Sequence, residues 1–339
     1  MDWNPQTLEF LSQSFLDTLS PQSELRHRAE KNLSDAVDTP NYGLAVLRLA
    51  TEPSVDEEIR QCAAVNLMNH LKTRWVPLSA TAIPDGEKEQ IKSLIVPKML
   101  SATPRIQALL REALDVIRNY DFAESWPTLL PNLGSNLETA INADDFDSVN
   151  GMLATVNSLF KKFRCQFKSN PILHDLEYCV DNFAGPLLST VESISRKINV
   201  VESVATLRQL LEAQRLYCKI FYSLNYLGVP EFFEDTSDKW MNEFKNYLTV
   251  RYPAIEDSGD ADRVDRVRAA VCENISHYMK KEEKLLQKHL KEFIEAVCRL
   301  LVVASASASR ERLIVADIKF LTIVSTSVDH ELLSGDVKG

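Results

Sequence analysis

The residues best suited to chemistry are six cysteines (Cys62, Cys165, Cys179, Cys218, Cys272, Cys298) and six histidines (His27, His70, His174, His277, His289, His330). Such residues hold metals or supply a nucleophile and its base. Their spacing suits neither role. No CxxC pair occurs, and no histidine lies within four residues of a cysteine or of another histidine. A P-loop, a dinucleotide fingerprint, HExxH, a nucleophile elbow and a kinase signature are all missing. The sequence therefore gives an enzyme reading no constellation to rest on, and it implies no cofactor and no metal.

Charged clusters are the next candidates. Asp144, Asp145 and Asp147, and again Glu256, Asp257, Asp260, Asp262 and Asp265, fall at breaks just before helices or in their first turns, where a carboxylate complements the helix dipole. The glycine of a calcium-binding EF-hand loop is missing from both. Lys161, Lys162, Arg164 and Lys168 end a helix, the position where a cation is favoured, so the structural reading outweighs a phosphate site. Trp75, Trp126 and Trp240 sit near helix ends or at apolar spacing and read as core.

The elements that position these residues are helices. Only 9 glycines occur in 339 residues, too few for the turns of a many-stranded protein. Apolar residues recur at i, i+3 and i+4 in segments that fall into pairs. They run Gln6–Leu19 with Pro21–Val37, Tyr42–Thr51 with Val55–Trp75, and Asp85–Ser101 with Pro104–Tyr120. Trp126–Ala143 pairs with Phe146–Phe167, and Ile172–Ile198 with Val204–Tyr226. The last pairs are Pro230–Arg251 with Asp262–Met279 and Lys284–Ala304 with Arg310–Val328. Ser20-Pro21 and Thr103-Pro104 both read as an N-cap followed by proline at the first helical position.

In four second helices an arginine precedes an alanine by three residues: Arg26/Ala29, Arg60/Ala63, Arg105/Ala108 and Arg266/Ala269. The alanine would let the two helices of a hairpin approach closely, inside a stripe such as Ile59, Ala63, Leu67 and Leu71. The expected fold is all-α, a right-handed α-solenoid of about seven HEAT-type helical hairpins.

A net charge of −10 without long like-charge runs speaks against nucleic acid as a partner; it suits either a basic protein surface or solubility alone. The opening MDWNPQTLEF lacks the basic and apolar regions of a secretory signal, and no apolar stretch is long enough to insert in a membrane. With unpaired cysteines, these features predict a cytosolic or nuclear protein. The end, Ser334 to Gly339, follows an apolar helix without a polar capping repeat, so a longer solenoid is expected.

Several segments carry a resemblance. Glu57 to Trp75, EEIRQCAAVNLMNHLKTRW, is similar to the second repeat of the importin-beta (karyopherin) family, and Leu25-Arg26, Ala29-Glu30 and Leu33 to its first. Phe160-Lys161-Lys162-Phe163-Arg164, Cys179 to Leu187 (CVDNFAGPL), Phe221 to Tyr226 (FYSLNY), Pro230 to Asp235 (PEFFED) and Ala270 to Ile275 (AVCENI) resemble the branch of exportins that return importin-alpha to the cytoplasm.

The resemblance implies a transport receptor that binds Ran-GTP and importin-alpha cooperatively, shuttles between nucleus and cytoplasm, and meets nucleoporins at the nuclear envelope. It implies an importin-beta N-terminal type domain over residues 1–122 and continuing repeats over 123–339. It also implies that the second helices of the first repeats face Ran. On this sequence that surface includes Arg26, Glu30, Asn66, Asn69, Lys72, Asn119 and Asp121. Asn69 lies about 200° round the helix from Leu67, away from the buried stripe. For each of these residues a solvated face is the competing reading. Met68 departs from the family, which usually has lysine just before the asparagine. The alternative to a receptor is a HEAT scaffold without Ran or cargo binding.

Overall fold

The computed structural model describes residues 1–76, 81–122, 124–256, 259–304 and 310–335, with side chains as far as residue 327. Asp257 and residues 336–339, singled out above, lie outside the described residues, as does the side chain of His330. Among the described residues every regular element is a helix, as expected for a solenoid of helical hairpins. None is long and apolar enough to cross a membrane. The chain divides into two compact units, Met1–Pro127 and Thr128–Gly339.

The first unit holds α1 (Pro5–Thr18), α2 (Ser23–Ala36), α3 (Tyr42–Ala50), α4 (Glu57–Arg74), α5 (Asp85–Leu100) and α6 (Pro104–Asp121). They pack as hairpins, α1 on α2, α3 on α4 and α5 on α6. The hairpins stack because α3 also packs on α1 and α5, and α4 on α6. Ile59, Ala63, Leu67 and Leu71 form the buried stripe of α4 that the sequence predicts. Each large side chain so buried contributes about 1.5 to 3 kcal/mol. Asn4 caps α1, its side chain accepting from the Thr7 N–H at 2.8 Å, and Asp56 caps α4, accepting from Glu58 N–H at 2.9 Å.

Two local expectations are corrected here. Helix α2 begins at Ser23, not Pro21, with Gln22 as its N-cap. The carbonyls of Ser20 and Pro21 instead accept from the Arg26 guanidinium at 3.0 and 3.2 Å, which holds residues 20–22 as a turn. The Arg/Ala register fails in α6. Ala29, Ala63 and Ala269 are buried, but Ala108 is exposed, because α6 turns Ile106, Leu110, Ala113 and Ile117 inward.

The second unit forms two layers. One contains α7 (Leu129–Asn142), α10 (Asn170–Ile198), α13 (Ser237–Thr249) and α16 (Glu283–Ala304), each packed on the next. The other contains α8 (Phe146–Phe160), α11 (Val204–Asn225), α15 (Ala261–Lys281) and α17 (Glu311–Gly335), packed in the same succession. Short helices α9 (Lys162–Cys165), α12 (Glu231–Asp235) and α14 (Pro253–Glu256) fill the turns. The segment Pro230–Arg251, expected as one helix, is split at Thr236, whose hydroxyl donates to the Phe232 carbonyl at 2.7 Å.

Acidic residues at the helix starts are mostly consumed structurally. Asp145 caps α8 by accepting from Ser148 N–H at 3.1 Å, Asp144 pairs with Lys197 and Asp260 with Arg208. Gly134 in α7 faces Pro186 inside α10, where an added Cβ would lie 3.1 Å from the proline ring. A helical glycine costs about 1 kcal/mol relative to alanine, and here it admits the ring of the neighbouring helix.

The centre of this unit is aromatic. Phe221 of α11 meets Trp240, Phe244, Phe233 and Tyr278 with ring centroids 4.7, 5.0, 5.3 and 5.5 Å away. Asn225, one turn on, accepts from Tyr278 OH at 3.0 Å and donates to the Phe221 carbonyl at 2.8 Å. Replacing Phe221 with alanine should therefore destabilise the second unit by about 3 to 5 kcal/mol, read as a lower urea midpoint. An unchanged midpoint would contradict this packing.

Candidate functional site

Within the first unit, the stripes of α2, α4 and α6 turn inward, and the opposite faces of the same helices border a groove of about 820 Å³. Its apolar surface comes from Phe15, Leu33, Val37, Val65 and Leu109, and its polar groups are Glu30, Gln61, Asn66, Asn69 and Arg105. Val65 is 40% exposed and adds an apolar side chain to the open side of the groove. Tyr42 reaches the groove from α3 and donates to Asn66 Oδ1 at 2.9 Å, leaving the donor half of that amide for a ligand. Burial pushes the Tyr42 phenol up to about 12, so it remains a donor at neutral pH. The Cys62 thiol is also raised, by burial and then by Glu58, which keeps it protonated and a poor nucleophile. The groove can bind by hydrogen bonds and apolar contact, but it has no activated group.

Behind it, the hairpins are joined by buried polar links. Glu87 of α5 accepts from the backbone N–H groups of Asn41 and Leu44 at 2.8 and 3.3 Å, so its carboxylate sits at the N-terminus of α3. Asn41 itself is left-handed, with φ 63°. His70 packs edge-on against Tyr42, with centroids 5.2 Å apart. Its pKa is lowered to about 4, by burial first and then by Arg74, against the opposing effect of Asp38. At the other end, Asp121 accepts from Trp75 Nε1–H and lies 3.0 Å from Lys92 Nζ. Burial works against the Lys92 ammonium, but Glu89 and Asp121 outweigh it and hold its pKa above the ordinary lysine value.

Comparison with known proteins places this geometry. The Importin-beta N-terminal domain model matches residues 29–101, which carry Glu30, Asn66 and Asn69, and the Cse1 model matches residues 159–336, just over half of the chain. The chain belongs to the Cse1 family. Exportin-2 of Homo sapiens is 33% identical over 344 residues, covering 99% of this chain and 35% of the relative. Exportin-2 of Xenopus laevis is 32% identical over 341 residues with the same coverage. The chain thus spans about a third of the length of the curated relatives it matches. These relatives are named as exportins, not enzymes.

Among solved structures, the exportin Cse1 in its cargo-free, cytoplasmic state is similar with TM-score 0.83 and 27% identity, covering 94% of this chain and 34% of that one. Lph2, a bidirectional nuclear transport receptor of S. cerevisiae, shares the fold at TM-score 0.71 and 13% identity, over 92% of this chain and 32% of that one. Kap95p does so at TM-score 0.58 and 16% identity, over 98% and 36%. The segments that carry the Cse1 likeness in sequence are largely core. Phe221 and Asn225 of FYSLNY and Phe233 of PEFFED belong to the buried aromatic centre of the second unit.

The residues expected to face a partner separate into two groups. Glu30, Asn66 and Asn69 line the groove together. Arg26 is engaged by the α1–α2 turn, Lys72 and Asn119 are exposed away from the groove lining, and Asp121 is held by Trp75 and Lys92. Gln61, Val65, Arg105 and Leu109 were missed. Gln61 and Val65 lie eight and four residues before Asn69 on the same face of α4, so the rotation argument that exposes Asn69 reaches them as well.

Asp121→Ala should lower stability by about 1 to 3 kcal/mol, because it strips partners from the buried Lys92 ammonium and the Trp75 indole N–H. Asp121→Asn, which keeps an acceptor, should cost less; equal loss in urea titrations would contradict the Trp75 link. His70 contributes a pH dependence of known sign. Below pH 6.5 the unfolded chain takes up a proton that the folded chain refuses until about pH 4. Stability attributable to His70 is therefore complete above pH 6.5 and is lost as pH falls towards 4, by about 3 kcal/mol. In His70→Leu, urea midpoints measured across that window should fall less steeply than in the parent. An identical slope would remove the assignment.

Proposed function

We propose that this chain acts as the N-terminal part of a nuclear export receptor, docking Ran-GTP in the groove of its first unit and carrying importin-alpha from nucleus to cytoplasm. The observation that carries the reading is the groove itself. The second-helix residues Glu30, Asn66 and Asn69 converge there, inside the segment that matches the Importin-beta N-terminal domain. Membership of the Cse1 family supports the export direction and the cargo, as do the relatives named Exportin-2. Kap95p, a protein of the same fold, is described as binding RanGDP and inducing its switch loops to adopt the GTP-bound conformation. The cargo and Ran would bind with reciprocal coupling: whatever free energy one adds to the affinity of the other is returned in equal measure.

Glu30 and Asn69 are suited to such contacts because they are exposed and border the same groove as apolar Val65; the one ion-pair partner of Glu30 is the exposed His27 imidazole at 3.5 Å, one turn away. Asn66 is held ready by Tyr42, which reduces the ordering needed on binding. Arg26 and Asp121 are less suited, since each already serves an internal hydrogen bond.

The test is a pull-down of the chain with Ran locked in its GTP or GDP state. Selective capture of the GTP form is expected, and Glu30→Lys combined with Asn69→Arg should reduce it by about tenfold, a loss of about 1.4 kcal/mol, while circular dichroism stays unchanged. Equal capture of both forms, or of neither, would remove the receptor reading for this chain and leave a helical scaffold without Ran binding.

A further inference from the structure

A second groove, of about 860 Å³, lies wholly within the second unit, on the faces of α11, α15 and α17, and its charge is opposite to that of the chain. Seven lysine or arginine side chains border it against one carboxylate, Glu273, in a sequence whose net charge is −10. Two of the seven are neutralised locally, Arg215 by Glu212 and Arg266 by Asp262. Among the described residues, Arg164, Lys219, Lys280, Arg312 and Lys319 pair with no carboxylate. Burial, then the proximity of Arg215 and Arg164, hold the Lys219 ammonium below the ordinary lysine range against the opposing effect of Glu273 and Glu212.

A surface cation that faces a carboxylate one turn away on a helix is stabilised by it. Five left unpaired around one concavity focus a positive field into it. The groove is also long. Arg266 and Lys280 border it from positions 14 residues apart on α15, a span of about 21 Å at the helical rise. An extended peptide covers that distance with about six residues. The floor between the cations includes Ala269 and Ala316, whose small side chains let a backbone approach.

Single-stranded nucleic acid fits less well. Its recognition needs open aromatic faces for the bases, whereas Tyr222 and His277 pack on one another at 5.3 Å, and Tyr226 stacks on the same imidazole.

We propose that this groove binds an extended Asp/Glu-rich peptide segment of a partner protein, about six residues long, whose carboxylates pair with Arg164, Lys219, Lys280, Arg312 and Lys319. The site is separate from the Ran-facing groove and does not depend on that assignment. A partner carrying such a segment would be captured by this chain in the absence of any nucleotide-bound protein.

The experiment uses the whole chain and a fluorescein-labelled hexaglutamate peptide, read by fluorescence anisotropy across a salt series, with labelled hexauridylate in parallel. Saturable peptide binding that weakens with salt is expected, tighter than that of the oligonucleotide. Lys219→Glu with Arg312→Glu should weaken it by about tenfold or more, and the milder Lys280→Gln with Lys319→Gln, on exposed side chains, by about threefold. Arg28→Glu with Lys31→Glu, an equal change in net charge in the first unit, should leave peptide binding within about twofold. Should the charge reversal at Lys219 and Arg312 fail to fold by circular dichroism, the threefold loss in the exposed pair decides the matter by itself. Absence of saturable peptide binding, equal losses in the groove and control variants, or tighter binding of hexauridylate would each overturn the proposal. Ran-GTP selectivity is measured separately on the first unit's groove variants, so either reading can fail without the other.

Discussion

Burial of one stripe on each second helix is the constraint from which the rest follows. A helix that turns Ile59, Ala63, Leu67 and Leu71 into a hairpin must present Gln61, Val65 and Asn69 on its far side, because successive residues advance about 100°. Stacking α4 on α6 then sets two such far sides next to each other, and the groove of the first unit is the space they leave. The same logic produces the basic groove of the second unit from α11, α15 and α17. Neither concavity needs a specialised loop. Both are by-products of covering apolar surface, decorated afterwards by the residues that happen to face out.

The architecture was largely legible in the sequence, because repeated i, i+4 stripes in pairs leave few ways to bury them. What escaped was local and electrostatic. The shift of the α2 start to Ser23 comes from Arg26 binding two carbonyls across the turn, a contact six residues back that no capping pattern announces. The false Arg105/Ala108 repeat arose because one arginine and one alanine recur by chance; in α6 the inward face belongs to Ile106 and Leu110 instead. The helix breaks at Thr236 with no proline or glycine there to announce it, and Glu87 of α5 sits at the start of α3, a helix of the neighbouring hairpin. Part of the candidate surface was legible by rotation alone. Asp121 shows the limit of that method: a carboxylate at the end of a helix is as available to Trp75 and Lys92 as to a partner, and only packing decides between them.

Charge is distributed differently in the two units. In the first, carboxylates such as Glu87 and Asp121 are drawn inside to join hairpins, and the groove keeps a mixed, mostly apolar border. In the second, carboxylates including Asp144, Asp145, Asp260 and Asp262 are used up in caps and ion pairs at helix starts. Asp260 and Asp262 offset Arg208 of α11 and Arg266 of α15, but five cations around the groove keep no carboxylate partner among the described residues, so a protein that is acidic as a whole still holds a strongly basic hollow.

The meeting of Gly134 and Pro186 has an evolutionary consequence. The two positions lie on different helices and share one volume, so a methyl gained at the first would meet the ring of the second at 3.1 Å and force it to give by a few tenths of an ångström. In descendants of this chain they should be inherited as a couple, changing together or staying fixed together, and a lineage altering one alone would carry a strained seam until its counterpart followed.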